Sequence, residues 1–297
     1  MIEPVLEFDG LRKDFGETEV LKGINAKVLS GEVIGLVGLN GAGKTTLLET
    51  ALGLSPPSSG TAYVFGREST ARLDNGTKAR IGFVPQQDEL QNEMLSNNTG
   101  AKYIKLIAEF YDNWNRDLVE RLGKEWAVPL DARISTLSVG QRQKLSILSA
   151  LGHEPELIVL DEPVASLDPL ARRKFLQELV GIADSRDRTI IFSSHIISDL
   201  ERVASRVWIL RDGRIEIDEH LDVLKEHTAR IHLPPGAQIP AYVNGDKLIH
   251  CRREQNTNIL VFRNWDEEQH QRLEQVSGFA LTPELLSLED IFLEIHS

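Results

Sequence analysis

The residues best suited to chemistry lie in one short run, Gly38-Leu39-Asn40-Gly41-Ala42-Gly43-Lys44-Thr45, followed by Thr46. The run matches G-x-x-x-x-G-K-[ST], a pattern whose backbone amides cradle phosphate groups. Gly38, Gly41 and Gly43 allow close approach of a phosphate chain, because glycine has no Cβ and tolerates positive φ. Lys44 is placed to reach β- and γ-phosphates, and the Thr45 hydroxyl to ligate Mg²⁺. The setting agrees. Val33 to Val37 is an apolar run expected as a buried parallel strand, and Thr46-Leu47-Leu48 opens a helical pattern whose positive end faces the same loop. The ligand implied is a nucleoside triphosphate.

Other candidates sit at the ends of apolar runs. Leu157-Ile158-Val159-Leu160 is expected as a strand that delivers Asp161-Glu162-Pro163 at its C-terminal end, where open α/β sheets bind ligands. Thr189-Ile190-Ile191-Phe192 leads into Ser193-Ser194-His195, and Ile81-Gly82-Phe83-Val84 into Pro85, Gln86 and Gln87. Leu137-Ser138-Val139-Gly140-Gln141 opens a helix through Leu145, Leu148 and Leu151, with Ser138 as its N-cap. Phe15, in the first connection, is expected from its local sequence to pack in the core.

The elements that must hold these residues follow from periodicity and breakers. Residues 5–37 read as three strands joined by turns, and Ser55-Pro56-Pro57-Ser58-Ser59-Gly60 interrupts the chain before a strand at Tyr63-Val64-Phe65-Gly66. A polar, loop-forming stretch runs to Thr99. Beyond it Ile104, Ile107, Phe110, Tyr111, Trp114, Leu118 and Leu122 recur three or four apart, which predicts a long helical segment with one apolar face. A helix over Pro169 to Ile182 follows. Asp212-Gly213 marks a hairpin between Val207–Arg211 and Arg214–Ile217. Near residue 225 the character changes, and Pro234-Pro235-Gly236 reads as a linker or sharp loop. Strands at Leu248–Arg252 and Ile259–Arg263, a polar helix at Asp266–Val276 and a short amphipathic helix at Ser287–Glu294 complete a small α+β tail without a catalytic constellation.

At 297 residues the chain holds one sizeable core plus an appendage, or two domains. A net charge of −12 argues against a nucleic-acid-binding surface as its main business, and no nucleic-acid partner is expected. No apolar run reaches the length of a bilayer span, and no export signal is read at the N-terminus. The one cysteine, Cys251, excludes an internal disulfide and is expected as a small, partly buried hydrophobe. The eight histidines lack ligand spacing, so no structural metal site is expected.

Taken in order, the phosphate loop, Leu137–Gln141, Leu157–Glu162, Ser166-Leu167-Asp168 and His195 resemble the ATP-binding subunits of ABC (ATP-binding cassette) transporters over roughly residues 3–224. The resemblance implies an α/β P-loop NTPase cassette at 1–224. Such a cassette has an antiparallel β subdomain, a RecA-like core with a mostly parallel sheet, and a helical subdomain near 88–155. A C-terminal accessory α+β domain is expected at 225–297. It further implies ATP and Mg²⁺ bound by Gly38, Asn40, Gly41, Ala42, Gly43, Lys44, Thr45 and Thr46. Asp161 becomes the second Mg²⁺ handle and Glu162 the carboxylate that positions or deprotonates the attacking water, a division of labour suited to phosphoryl transfer. Gln86 joins the metal shell and senses the γ-phosphate, with Gln87 as the alternative. His195 hydrogen-bonds the γ-phosphate, and Phe15 stacks on adenine.

The same resemblance makes Ser138, Gly140 and Gln141 a signature that binds the γ-phosphate held by a second subunit, with Asp168 in the loop that communicates across the interface. Val139 departs from the usual glycine and puts the tightness of the closed dimer in question. A homodimer, or a pairing with another cassette, is therefore expected. An integral-membrane permease on a separate polypeptide is also implied. Its cytoplasmic coupling helix is received by the helical segment near residues 90–135 with the Gln86 loop, which places the subunit at the cytoplasmic face of the cell membrane. The ending Leu286-Ser287-Leu288-Glu289-Asp290-Ile291-Phe292-Leu293 resembles the type-2 exporter branch, as does Phe110-Tyr111-Asn113-Trp114 more weakly. The alternative is a soluble or mechanically coupled ABC ATPase that moves no solute.

Overall fold

In the computed structural model, residues 3–69, 73–185, 188–235, 237, 248–254 and 257–297 are described. Alternation at the start of the chain forms β1 (Leu6–Phe15) and β2 (Thr18–Val28), an antiparallel pair that buries Leu6, Phe8, Leu11, Leu21, Ile24 and Val28. Strand β3 (Val33–Val37), buried at every position, delivers α1 (Lys44–Ala51). Next come β4 (Ser59–Val64), β5 (Arg67–Glu68), α2 (Asn75–Lys78) and β6 (Ile81–Val84). Pairing of β4 with β1 completes an antiparallel sheet of order β2-β1-β4-β5. The strand expected over Tyr63–Gly66 stops at Val64, because Phe65 and Gly66 form a turn with φ of 50° and 70°.

The long helix expected from the apolar spacing is broken. After the short helix α3 (Glu93–Ser96) come α4 (Gly100–Ala108) and α5 (Arg116–Glu125), then α6 (Val139–Leu151). Residues 109–115 leave the helical path to dock on the C-terminal end of α6. Tyr111 stacks on buried His153 with ring centroids 3.9 Å apart, and Asn113 Nδ2 donates to the His153 carbonyl at 2.7 Å. The Asn115 amide donates to the Gly152 carbonyl at 2.7 Å, while its side chain accepts from the Leu118 amide and caps α5. Trp114 lies so close that a Cβ on Gly152 would fall 2.3 Å from its ring. Tyr111 and Trp114 thus anchor the break instead of extending a helix face, and Phe110 is left 75% exposed.

The remaining elements of this unit are β7 (Leu157–Leu160), α7 (Pro169–Ser185), β8 (Thr189–Ser193), α8 (Ile197–Leu200), β9 (Arg206–Arg211) and β10 (Arg214–His220). They form a six-stranded sheet of order β10-β9-β3-β8-β7-β6, in which β6, β7, β8, β3 and β9 run parallel. Parallel neighbours need crossover connections, which the helices supply. Asp212 and Gly213, with φ of 48° and 76°, make the expected two-residue turn. The two sheets and α1 share one core, in which Phe8 meets fully buried Trp208 at 6.0 Å between ring centroids.

The chain divides into two compact units, Met1–Asp218 and Glu219–Ser297. The second contains α9 (Leu221–Glu226), β11 (Ala229–Leu233), β12 (Leu248–Glu254), β13 (Thr257–Phe262), α10 (Glu267–Ser277), β14 (Glu284–Leu285) and α11 (Leu288–Ile295). Its antiparallel sheet, β12-β13-β11-β14, has a core that includes Ile231, Leu260, Phe262, Trp265 and Leu273. Of the expected Pro234-Pro235-Gly236 breaker, Gly236 lies outside the described residues. Cys251, on β12, is exposed, contrary to expectation.

Glu294, 2% exposed, is held by two guanidinium groups of its own unit. Arg230 donates to Oε1 through Nη2 at 2.8 Å, and Arg252 donates to Oε2. Burial pushes this carboxyl up, but the hydrogen bonds from Arg252 and Arg230 outweigh it and hold the group below its usual range. Its stabilising contribution is therefore complete above the unfolded-state value of about 4.3 and lost as pH falls through the lower folded-state value. Glu294→Gln should cost about 3 kcal/mol in urea unfolding at pH 7, since it removes the buried anion that two partly buried guanidinium groups share. That difference should shrink as the pH is lowered below about 4; a pH-independent difference would contradict the account.

Candidate nucleotide site

Parallel strands bring their C-terminal ends to one edge, and the chemistry gathers there. From β3 the chain passes through the glycine loop into α1. Gly43, at φ 103°, is the N-cap of that helix and offers no side-chain acceptor, and no acid lies in the first turn. Asp74, Asn92, Thr99, Asn115, Ser138, Asp266 and Ser287 each cap their own helices with a side chain. The first amides of α1 lack internal acceptors, so this helix end is left for an anion. Gly41, at φ 82°, has nothing within 4 Å of where a Cβ would stand. Neighbours do not demand a glycine there; the positive φ does, and it leaves the backbone open to a ligand.

Lys44 is buried and its Nζ donates to the Gly38 carbonyl at 2.9 Å, with Glu162 Oε1 3.8 Å away. The Thr45 hydroxyl donates to Asp161 Oδ2 at 2.6 Å and lies 3.3 Å from Gln86 Oε1. Of the two adjacent glutamines, Gln86 is therefore the one whose side chain meets Thr45. Thr45, Asp161 and Gln86 offer only oxygen to a common point, the donor set a hard divalent cation takes. Asp161 and Glu162 follow β7 and are buried, at 1% and 6% exposure. Glu162 has φ 50°, outside the ordinary range of a non-glycine residue. Its Oε2 lies 2.7 Å from His195 Nδ1 and accepts from the His195 amide at 3.3 Å.

Sequence reasoning overlooked Ser193. Its hydroxyl donates to Asp161 Oδ1 at 2.5 Å and accepts from the Glu162 amide at 2.8 Å. The signal was a hydroxyl ending a strand expected beside the acid-bearing one, but the register was needed to align them. Leu160 pairs with Phe192, which sets Asp161 next to Ser193. Arg142 was also overlooked. It donates through Nε to Asp88 Oδ2 at 2.5 Å and through Nη1 to the Leu137 carbonyl, tying the loop after Gln86 to the start of α6.

The Ser138 group is built differently. The Ser138 amide donates to Gln141 Oε1 at 2.9 Å and the Gln141 amide to Ser138 Oγ at 3.3 Å, a capping box at the start of α6. A Cβ on Gly140 would lie 3.0 Å from the Ser166 carbonyl, so this turn adjoins the Ser166-Leu167-Asp168 loop. Asp168 accepts from the amides of Ala171 and Leu170 at the start of α7, and the Ala171 bond foremost holds its carboxyl below the usual range. Ser138, Val139 and Asp168 are exposed. The described contacts of Ser138 go to its own helix, none to the glycine loop. Phe15, expected in the core from its local sequence, is 55% exposed at the end of β1, with Lys13 Nζ 4.8 Å from its ring centre. The connection to β2 is a tight turn at the sheet margin, which leaves the ring more than half exposed.

Comparison with known proteins gives the family. Residues 21–165 match the family model described as ABC transporter. The chain is 31% identical to the Nod factor export ATP-binding protein I of Rhizobium sp. (strain N33), over 99% of this chain and 98% of that one. It is 30% identical to the bacitracin transport ATP-binding protein BcrA of Enterococcus faecalis, over 77% and 74% of the respective chains. Among solved structures, a dimeric ATP-binding cassette in a post-hydrolysis state with ADP and phosphate superposes with a TM-score of 0.65 at 25% identity, covering 73% of this chain and 98% of that one. With the glycine loop, paired acids and strand-end histidine converging as they do, the chain belongs to the ATP-binding subunits of ABC transporters and is an ATP hydrolase.

Proposed function

We propose that this subunit powers export through a separate membrane permease. In this reading two cassettes close head to tail on two ATP molecules. The observation that carries the reading is the convergence of Lys44, Thr45, Asp161, Glu162 and His195 at one sheet edge, while Ser138 stands elsewhere on the same chain. A site completed by a second copy follows from that separation. Leu39, Val139 and Leu170, 53%, 49% and 66% exposed beside these motifs, are apolar surfaces suited to burial in such a closure.

Each residue then has a distinct task. ATP lays its phosphates along the loop from Gly38 to Thr46, and Lys44 exchanges the Gly38 carbonyl for β- and γ-phosphate oxygens. Phe15 offers an exposed face to adenine. Thr45, Asp161 and Gln86 would hold Mg²⁺, which neutralises charge on the β- and γ-phosphates when bound. Glu162 orients a water in line with the γ-phosphorus and accepts its proton. The water oxygen bonds to phosphorus as the bond to the β–γ bridging oxygen breaks, giving ADP and inorganic phosphate. His195, already on Glu162 Oε2, donates to the γ-phosphate and keeps the carboxylate aimed. Ser138 of a second copy caps the γ-phosphate from the opposite side.

The exposed Met94, Leu106 and Phe110, at 81%, 43% and 75%, lie in the stretch following Gln86 and offer an apolar landing for a permease segment. The Nod factor and bacitracin relatives and the chain's own ending favour the exporter branch, with the subunit at the cytoplasmic face of the membrane. Residues 225–297 form an accessory domain in this scheme.

Detergent extraction of native membranes should co-purify the chain with a multi-spanning permease; a complete assembly found only in the soluble fraction would contradict the proposal. In the purified chain, Glu162→Gln should retain ATP binding and lower kcat by about 10²–10⁴-fold, as expected for loss of a general base. Lys44→Ala should weaken nucleotide binding roughly 10- to 100-fold through loss of charge-assisted phosphate contacts. Normal turnover in the first or unchanged affinity in the second would remove that residue from its assigned role.

A further inference from the structure

One buried hydroxyl touches both members of the acid pair. Ser193 ends β8 with no exposed surface, donating to Asp161 Oδ1 at 2.5 Å and accepting from the Glu162 amide at 2.8 Å. The directions are determined by chemistry. An amide can only donate and an ionised carboxylate can only accept, while a serine hydroxyl does each once without conflict. The neighbouring Ser194 is committed elsewhere, since its Oγ accepts from the Ile196 amide at 3.0 Å.

We propose that Ser193 is a positioning residue that sets the metal-facing oxygen of Asp161 and the backbone direction of Glu162 together. With Oδ1 held by Ser193, Asp161 turns Oδ2 toward Thr45 Oγ1, 2.6 Å away, the pair that would hold the cation. With its amide held, Glu162 keeps φ at 50°, a conformation that persists only under constraint from its surroundings. That turn sends its carboxylate back between Lys44 and His195, 3.8 Å and 2.7 Å away. Loss of the hydroxyl frees the Asp161 carboxylate to rotate and strips the Glu162 amide of its acceptor. Metal affinity and the aim of the water-positioning acid should therefore fall together, while the phosphate contacts of the glycine loop remain.

The inference rests on the ATP and Mg²⁺ roles proposed above, and its test separates the two. In the Glu162→Gln chain, Mn²⁺ binding in the presence of ATP is titrated by electron paramagnetic resonance, and a fluorescent ATP analogue is titrated in EDTA. Adding Ser193→Ala should weaken Mn²⁺ binding about tenfold, the lower end for residues that orient metal ligands, with metal-free nucleotide affinity unchanged. Ser193→Thr, which keeps the hydroxyl, should restore Mn²⁺ affinity; thermal unfolding of all variants checks that they are folded. Unaltered Mn²⁺ affinity in Ser193→Ala, or a threonine variant as weak as alanine, overturns the role of Ser193. A Glu162→Gln parent that takes up no metal with ATP overturns the proposed site itself, and the inference with it.

Discussion

The constraint on which the cassette depends is the parallel alignment of β3, β7 and β8. Their register brings three strand ends to one edge, so that residues far apart in sequence meet within hydrogen-bond distance. Thr45 and Asp161 are 116 positions apart, yet their oxygens are 2.6 Å from each other. A slip of one residue in β7 or β8 would turn Asp161 or Ser193 to the opposite face and dissolve the cluster. The strands are held against such a slip by burial at every position of β3, β7 and β8.

Within that frame the two acids are differentiated by their backbones more than by their side chains. Asp161 continues the strand direction and meets a hydroxyl on either side. Glu162 turns out of it at positive φ and meets a lysine ammonium and a histidine ring instead. Placing two carboxylates side by side in a buried setting is costly unless each has its own partners. Here Thr45 and Ser193 serve one, Lys44 and His195 the other. In the proposed reading ATP binding would take over part of this network, since the pocket is organised around polar contacts that phosphate and metal can replace.

Much of this was legible in the chain. The glycine loop, the apolar strands and the acids at their ends have local signatures, and the mostly parallel sheet was implied by the family resemblance they carry. The Asp212-Gly213 turn and the capped tail helix beginning at Ser287 were equally local. What escaped was set by distant contacts. The stripe from Ile104 to Leu122 satisfies helical spacing, but Tyr111 and Trp114 find partners at Gly152 and His153 that reward breaking the helix. Phe15 and Cys251 are residues on strands whose type alone does not reveal that they are exposed. Strand β11 was not read from the sequence, and its central place in the second sheet depends on pairing with β13 and β14, which local sequence does not encode.

In the proposed mechanism the site is one-sided within a single copy, because the described contacts of the serine at the start of α6 go to its own helix. The central claim is that a second copy supplies it. Sedimentation velocity of the Glu162→Gln chain at saturating Mg²⁺ and ATP, with and without Ser138→Arg, tests that claim most directly. The account predicts a nucleotide-dependent dimer that Ser138→Arg returns to monomer although ATP still binds. A chain that stays monomeric with ATP bound, or a dimer indifferent to the Ser138 substitution, would contradict it.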